Sequence, residues 1–189
     1  MENKKFISEL KNGKSEAYDK LIKEYSRKIY YLSLKMLGNP TDAEDAVQTT
    51  FFKVYRNIDG FRGQSELSTW IYKIAVNTCN DILRKRKTSF TVPILTANDE
   101  KPILDIEDKS QNVEEAILKR EREKLVYKCI YLLPDGHRKF IVLRDLEGLS
   151  YAQIAQILDM NIGTVKSGIN RARAKLTELL KEHSQGEDF

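Results

Sequence analysis

Between Leu149 and Leu176 the chain reads LSYAQIAQILDMNIGTVKSGINRARAKL, a pattern that few arrangements accommodate. Ser150 followed by Gln153 predicts a capping box, in which hydroxyl and amide satisfy the free N–H groups at a helix start. Ile154, Ala155 and Leu158 give that short helix an apolar face. Asp159-Met160-Asn161 breaks it, and Asn161 is placed to cap a second helix with apolar positions Ile162, Val165, Ile169, Ala172 and Leu176. Intervals of three and four mark one buried stripe. The other faces carry Thr164, Lys166, Ser167, Asn170, Arg171, Arg173 and Lys175, with no acid among them. Two short helices, a tight turn and a basic outer face suit a helix-turn-helix whose second helix lies in a major groove. The plainer alternative is a helical hairpin with a solvated basic face.

At 189 residues the chain can hold one domain or two small ones, and 41% hydrophobic residues suffice for packed cores. The net charge of +4 is mild, but its uneven placement bears more on partners than the total does. Cys79 and Cys129 stand far apart in predicted helices, outside any CxxC or Cys/His cluster, and read as small core residues rather than ligands. No metal or cofactor is expected. Without a signal peptide or long apolar run, the chain is expected to be cytoplasmic, with no membrane insertion.

A first long helix is expected from Ser15, with Tyr18, Leu21, Ile22, Tyr25, Ile29, Leu32 and Met36 at helical spacing and Gly38-Asn39-Pro40 as its stop. Thr41 and Glu44 suggest a capping box for the second helix, with Ala43, Val47, Phe51, Val54 and Ile58 buried. Asp45, Gln48, Phe52 and Arg56 then share an outward stripe, a poor solvent surface but a reasonable docking surface. The polar loop Phe61-Arg62-Gly63-Gln64-Ser65-Glu66 precedes a helix from about Leu67 to Lys87, buried through Leu67, Ile71, Ile74, Ala75, Thr78 and Ile82. Its opposite side carries Trp70, Lys73, Asn77, Asn80 and Arg84 and ends in the run Arg84-Lys85-Arg86-Lys87. An aromatic, amides and basic groups on one face can stack on bases, bond their edges and hold phosphates.

Periodicity vanishes from Thr88 to Gln111, where Pro93 and Pro102 punctuate an acidic segment. This predicts a flexible linker (88–111) between an N-terminal helical domain (1–87) and a C-terminal one (112–189). Roughly 24 residues at ~3.4 Å each reach about 80 Å when extended, more than two turns of DNA at ~34 Å each. After it, Asn112 with Glu115 resembles another capping box, Pro134 interrupts the helix it opens, and Asp135 is placed to cap the next. That helix brings Phe140, Ile141, Leu143 and Leu146 under the helix-turn-helix, giving a four-helix C-terminal domain. The fold class is all-α.

Read as a whole, residues 15 to 180 outside the linker resemble an extracytoplasmic-function (ECF) sigma factor of bacterial RNA polymerase, in the sigma-70 family. The resemblance rests on DAEDAVQTTF at 42–51, FRGQSELSTWIYKIAVN at 61–77, LPDGHRKFIVLRDLEGLSYAQIA at 133–155 and GTVKS at 163–167. It implies that Asp45, Gln48, Thr49 and Phe52 meet the polymerase core. It also implies that the loop around Phe61, Arg62 and Ser65 takes a flipped promoter base, with Trp70, Lys73, Asn77, Asn80 and Arg84 reading the minus-ten element. Thr164, Lys166, Ser167, Asn170, Arg171 and Arg173 would read the minus-thirty-five element. The implied partners are the polymerase core, promoter DNA as duplex and melted strand, and an anti-sigma factor. Three residues depart from the family pattern. Thr49 replaces an acid and weakens one core contact, Asp159 stands where the turn often has glycine, and Gly168 stands for an arginine, losing a positive contact. No P-loop, metal spacing or nucleophile–base arrangement competes, so no enzyme is expected. The alternative is a stand-alone helix-turn-helix repressor or activator dimerising on palindromic half-sites. A helical enzyme or RNA-binding protein is a weaker third.

Overall fold

The computed structural model describes residues 4–88 and 113–184, and every regular element among them is helical. In chain order the α-helices are α1 (Lys4–Lys11), α2 (Ser15–Leu37), α3 (Pro40–Asn57), α4 (Leu67–Thr88), α5 (Val113–Leu132), α6 (Asp135–Ile141), α7 (Tyr151–Leu158) and α8 (Ile162–Ser184). The punctuated segment expected as a linker, from residue 89 on, and the Asn112 cap lie outside the described residues.

The N-terminal helices α2, α3 and α4 pack on one another around Leu21, Ile29, Leu32, Val54, Leu67, Ile71 and Ala75, all buried. Gly38 ends α2 in the left-handed conformation (φ 69°), its N–H donating to Leu34 O at 2.8 Å. Such a C-cap favours glycine, which has no Cβ to strain. The start of α3 corrects the expected Thr41–Glu44 box. Asn39 is the cap, its Oδ1 accepting from the Asp42 N–H at 3.0 Å, and Thr41 lies inside the helix. Pro40 explains the shift, since its fixed φ and missing N–H suit the first helical position. Ile22, expected in the core, is 43% exposed because its neighbour Leu21 takes the inward direction one helical step away. Helix α1 was not anticipated. It buries Leu10 and receives a hydrogen bond from the Tyr18 hydroxyl on Leu10 O at 3.0 Å.

The C-terminal helices α5 to α8 close on Ile130, Leu133, Ile141, Leu143, Ile154, Ile157, Val165 and Ile169. The expected Asp135 cap does not form. Asp135 is the first residue of α6, no side chain caps that end, and its carboxylate turns instead to Arg138 at 3.4 Å and Lys87 at 2.8 Å. A π-helical turn over Val142–Leu146 follows, closed by the Glu147 N–H on Val142 O at 2.9 Å. The two groups of helices touch directly: α7 lies on α4, and α6 with the π-helical turn lies on α2.

Candidate nucleic-acid interface

The helix-turn-helix forms as its side-chain chemistry predicts. Ser150 Oγ accepts from the Gln153 N–H at 3.2 Å while Gln153 Oε1 accepts from the Ser150 N–H at 2.9 Å, completing the capping box. Asp159 closes α7 at φ 52°, the only non-glycine residue with positive φ among the described residues. Aspartate tolerates this conformation with some strain. Asn161 Oδ1 then accepts from both the Thr164 N–H (2.8 Å) and its hydroxyl (2.9 Å), opening α8. Val165, Ile169 and Ala172 are fully buried, but Ile162 is 53% exposed, standing at the first position of α8 outside the cluster that begins at Val165.

Of the expected reading residues, Lys166, Asn170 and Arg171 are exposed on α8. Thr164 and Ser167 are also exposed, with hydroxyls already donating to Asn161 Oδ1 and Thr164 O. Arg173 is exposed but forked onto Asp145 of the π-helical turn, Nε lying 3.2 Å from Oδ2. That hydrogen-bonded carboxylate raises the guanidinium pKa and places an acid beside an otherwise basic face. Gly168 corrects the expected loss of a positive contact. The position faces inward and is buried against the Phe140 ring, so a longer side chain there would enter the core rather than reach outward.

The second surface is α4 with its preceding loop. Arg62 is exposed and Ser65 half-buried. Phe61, expected to meet a base, is 5% exposed and lies 5.3 Å from the Trp70 ring, a core anchor rather than a free stacking platform. Its apolar ring gains more from burial than from display beside polar loop residues. Lys11 of α1 holds the same segment, Nζ donating to Asp59 O at 3.2 Å and Phe61 O at 2.8 Å. Trp70, Lys73 and Asn80 are half-buried, while Asn77 and Arg84 are exposed. Lys73 is paired with Asp159 at 2.5 Å, so the turn of the helix-turn-helix sits on this face.

A third surface runs along α3. Asp45, Gln48, Thr49, Phe52 and Arg56 are all exposed, with Phe52 at 60% and the Arg56 guanidinium 5.6 Å from its ring centroid. Cys79 and Cys129 are both buried, and the Cys79 thiol donates to Ser33 Oγ at 3.5 Å. Among the described residues no helix is long and apolar enough to cross a membrane.

A capped helix-turn-helix with a basic outer face, joined to a second helical unit bearing amides and an aromatic, defines a DNA-binding transcription protein. Two family descriptions match in the same order: sigma-70 region 2 over residues 21–89 and sigma-70 region 4 over residues 123–176. The ECF RNA polymerase sigma factor SigW of Bacillus subtilis is 35% identical over 181 residues, covering 95% of this chain and 97% of that protein. The sigma-E factor of Escherichia coli K12 is 36% identical over 170 residues, covering 88% of each. In structure the chain is similar to the sigma factor RpoE solved with the anti-sigma factor NepR from Bartonella quintana, at TM-score 0.66 and 26% identity, covering 87% of this chain and 96% of that one. It shares its fold with CnrH, solved with the cytosolic domain of CnrY, at TM-score 0.67 and 24% identity over 94% of this chain and 96% of that one. The chain belongs to the ECF sigma factors, RNA polymerase initiation subunits of the sigma-70 family. The stand-alone repressor is not favoured.

Sequence reasoning passed over three residues that organise these surfaces: Lys11, Asp145 and Glu147. A signal for α1 was present, since Phe6, Ile7 and Leu10 lie at helical spacing. Nothing in the sequence pairs Asp145 with Arg173, or Glu147 with a helix more than a hundred positions earlier.

Proposed function

We propose that this sigma factor distributes promoter recognition over the three surfaces described. Asp45, Gln48, Thr49 and Phe52 on α3 meet the polymerase core. Arg62 and Ser65, with Trp70, Lys73, Asn77, Asn80 and Arg84 on α4, take the melted minus-ten strand. Thr164, Lys166, Ser167, Asn170, Arg171 and Arg173 on α8 read the minus-thirty-five duplex. The observation that carries this reading is the face of α8. Lys166, Asn170 and Arg171 stand exposed on a helix whose start is fixed by Asn161, the arrangement that presents side chains to base edges and phosphates. Phe61 acts by anchoring Trp70 rather than by touching DNA. The two units, about 1–87 and 112–189, serve as separate recognition modules joined by 88–111.

On this reading the protein works without a cofactor or a covalent step of its own, as a non-enzymatic cytoplasmic subunit. The likeness to RpoE bound by NepR supports an anti-sigma protein as a further partner. Strand opening is the test. Promoter thymines should become permanganate-reactive with core polymerase plus this chain, and with neither alone. Thymines unreactive across a set of genomic promoters, together with a palindromic footprint from the chain alone, would return the repressor.

A further inference from the structure

Arg173 is held at a fixed angle by an acid from outside its own helix. The Asp145 carboxylate, on the π-helical turn, accepts from Arg173 Nε at 3.2 Å through Oδ2 and from Nη2 through Oδ1. A side-on fork of this kind fixes the guanidinium plane as well as its position. Surface ion pairs usually contribute little, but bidentate arginine–carboxylate geometry is the exception. Lys175, by contrast, pairs with Glu178 one turn further along α8 itself.

Asp145 is in turn set by its surroundings. π-turns are uncommon and recur at functional sites. This one is closed by the Glu147 N–H on Val142 O at 2.9 Å, and the Leu149 N–H reaches Leu143 O at 3.1 Å just beyond it. The neighbouring Arg144 donates to Leu149 O at 2.8 Å and lies 5.0 Å from the Tyr151 ring centroid. The carboxylate therefore projects from a turn tied to the start of α7.

The fork leaves one edge of the guanidinium unused. Nε and Nη2 form the side that faces Asp145, while the end edge, Nη1 with the second N–H of Nη2, has no acceptor among the described residues. Position says what this edge meets. Lys166, Asn170 and Arg173 follow at intervals of four and three, so they share one flank of α8. Arg173 stands seven residues past Lys166, about 10 Å at ~1.5 Å per residue. Groove-reading helices meet base edges with their N-terminal residues, and the major groove is only about 12 Å wide. The end of the row therefore lies at the wall of the groove, where the phosphates are. A phosphate accepts two parallel N–H bonds from such an edge.

We propose that Asp145 is a positioning residue for DNA binding, holding Arg173 side-on so that its free edge clamps a backbone phosphate beside the bases read by Lys166 and Asn170. This rests on the reading of α8 given above and narrows it, because a phosphate contact sets register and affinity rather than base choice. An acid placed beside DNA would otherwise only repel it. Holding a side chain in place before binding avoids an ordering cost worth roughly two- to tenfold in affinity. Repulsion screened across about 6 Å of water and salt costs less than about twofold. The positioning effect wins.

The test uses the polymerase core with the full-length chain. Its DNA is a duplex carrying the upstream element of a promoter opened in the permanganate assay, ending before the minus-ten element. Arg173→Ala should weaken binding to all upstream sequences alike and lower the salt slope by about one. Asp145→Asn should weaken it about three- to fivefold with the slope retained, because the cation is still present. Asp145→Glu, which keeps a carboxylate, should recover part of the loss. The sign of the double change decides. In an Arg173→Ala background, Asp145→Asn should strengthen binding slightly, since only repulsion is left to remove. A residue that merely shaped the turn would weaken binding in both backgrounds, and that result would overturn the proposal. So would tighter binding by Asp145→Asn alone. Undiminished binding by Arg173→Ala, with Lys166→Ala weakened, would discard the clamp and leave the α8 reading standing. Lys166→Ala and Arg171→Ala both without effect would sink the α8 reading and take the clamp with it.

Discussion

Gly168 lies flush against Phe140: a Cβ at position 168 would stand 2.5 Å from the ring Cζ and under 3.0 Å from two further ring carbons. The glycine therefore sets how closely α8 approaches α6. Alanine would gain about 1 kcal/mol of helix propensity. Overpacking typically costs about 1–3 kcal/mol, and Phe140, only 6% exposed, has little space to yield. The overlap should win. Gly168→Ala is expected to destabilise the chain by about 1–2 kcal/mol, read as a lower urea midpoint, and Gly168→Arg by more. A midpoint that rises would mean the ring moves aside.

The helix-turn-helix and the order of helices were legible because their causes are local. Ser150 with Gln153, Asn161 with Thr164, and Gly38 each act within a few residues, and sequence spacing displays such partners directly. The outward stripe of α3 was legible for the same reason, since helical periodicity alone places Gln48 and Phe52 on one side. What failed depended on distant neighbours. Gly168 looked like a missing arginine because Phe140, some thirty positions away, is invisible to local pattern. The resemblance implied a base contact for the loop around Phe61, but the Phe61 ring is buried against Trp70. The Lys35–Glu147 ion pair could not be read at all, because the two residues meet only in the folded chain.

Cys79 gives the protein an alkaline limit. Burial pushes its thiol pKa up to about 11 from an ordinary value of 9.0, against smaller lowering effects from Ser33 and Lys53. The folded state thus holds this proton more tightly than the unfolded chain. That contribution is fully present below about pH 9 and is lost as pH rises towards 11, on the order of 2–3 kcal/mol at most. Tyr131, also raised by burial, adds to the same decline. Denaturant midpoints from pH 8 to 11 should fall for the wild type and fall less steeply for Cys79→Ala. Parallel curves would assign the alkaline loss to the tyrosines alone.

Phe52 and Gln48 should separate binding from folding. Both are exposed on α3, so replacing them removes no core contact. Truncating an interface anchor costs above ~1 kcal/mol of affinity, and often ~2 kcal/mol for an aromatic. Phe52→Ala is expected to weaken core polymerase binding by roughly tenfold or more, and Gln48→Ala by less, with unchanged melting temperature and circular dichroism. Undiminished affinity in a titration against immobilised core polymerase would remove this face from the docking surface.

Lys11 makes the sharpest distinction between holding a loop and touching DNA. Its ammonium bonds Phe61 O at 2.8 Å and Asp59 O at 3.2 Å, at the end of a short 3-10 turn over Ile58–Gly60 that the Phe61 N–H closes onto Ile58 O at 3.0 Å. Helix α1 is held for this task by buried Leu10 and by the Tyr18 hydroxyl on Leu10 O. Phe61 in turn anchors Trp70, so the bond fixes where the proposed strand-binding loop begins. The ammonium itself is exposed, and its loss should cost no more than about 1 kcal/mol of stability. Lys11→Ala is therefore expected to lower permanganate reactivity of promoter thymines several-fold at equal core occupancy. Core affinity and duplex binding through α8 should be unaffected. Lys11→Arg, which keeps a cation and two donors, should recover most of the opening. If Lys11→Ala opened promoters as fast as the wild type, the loop would hold its shape unaided and α1 would have no part in strand separation.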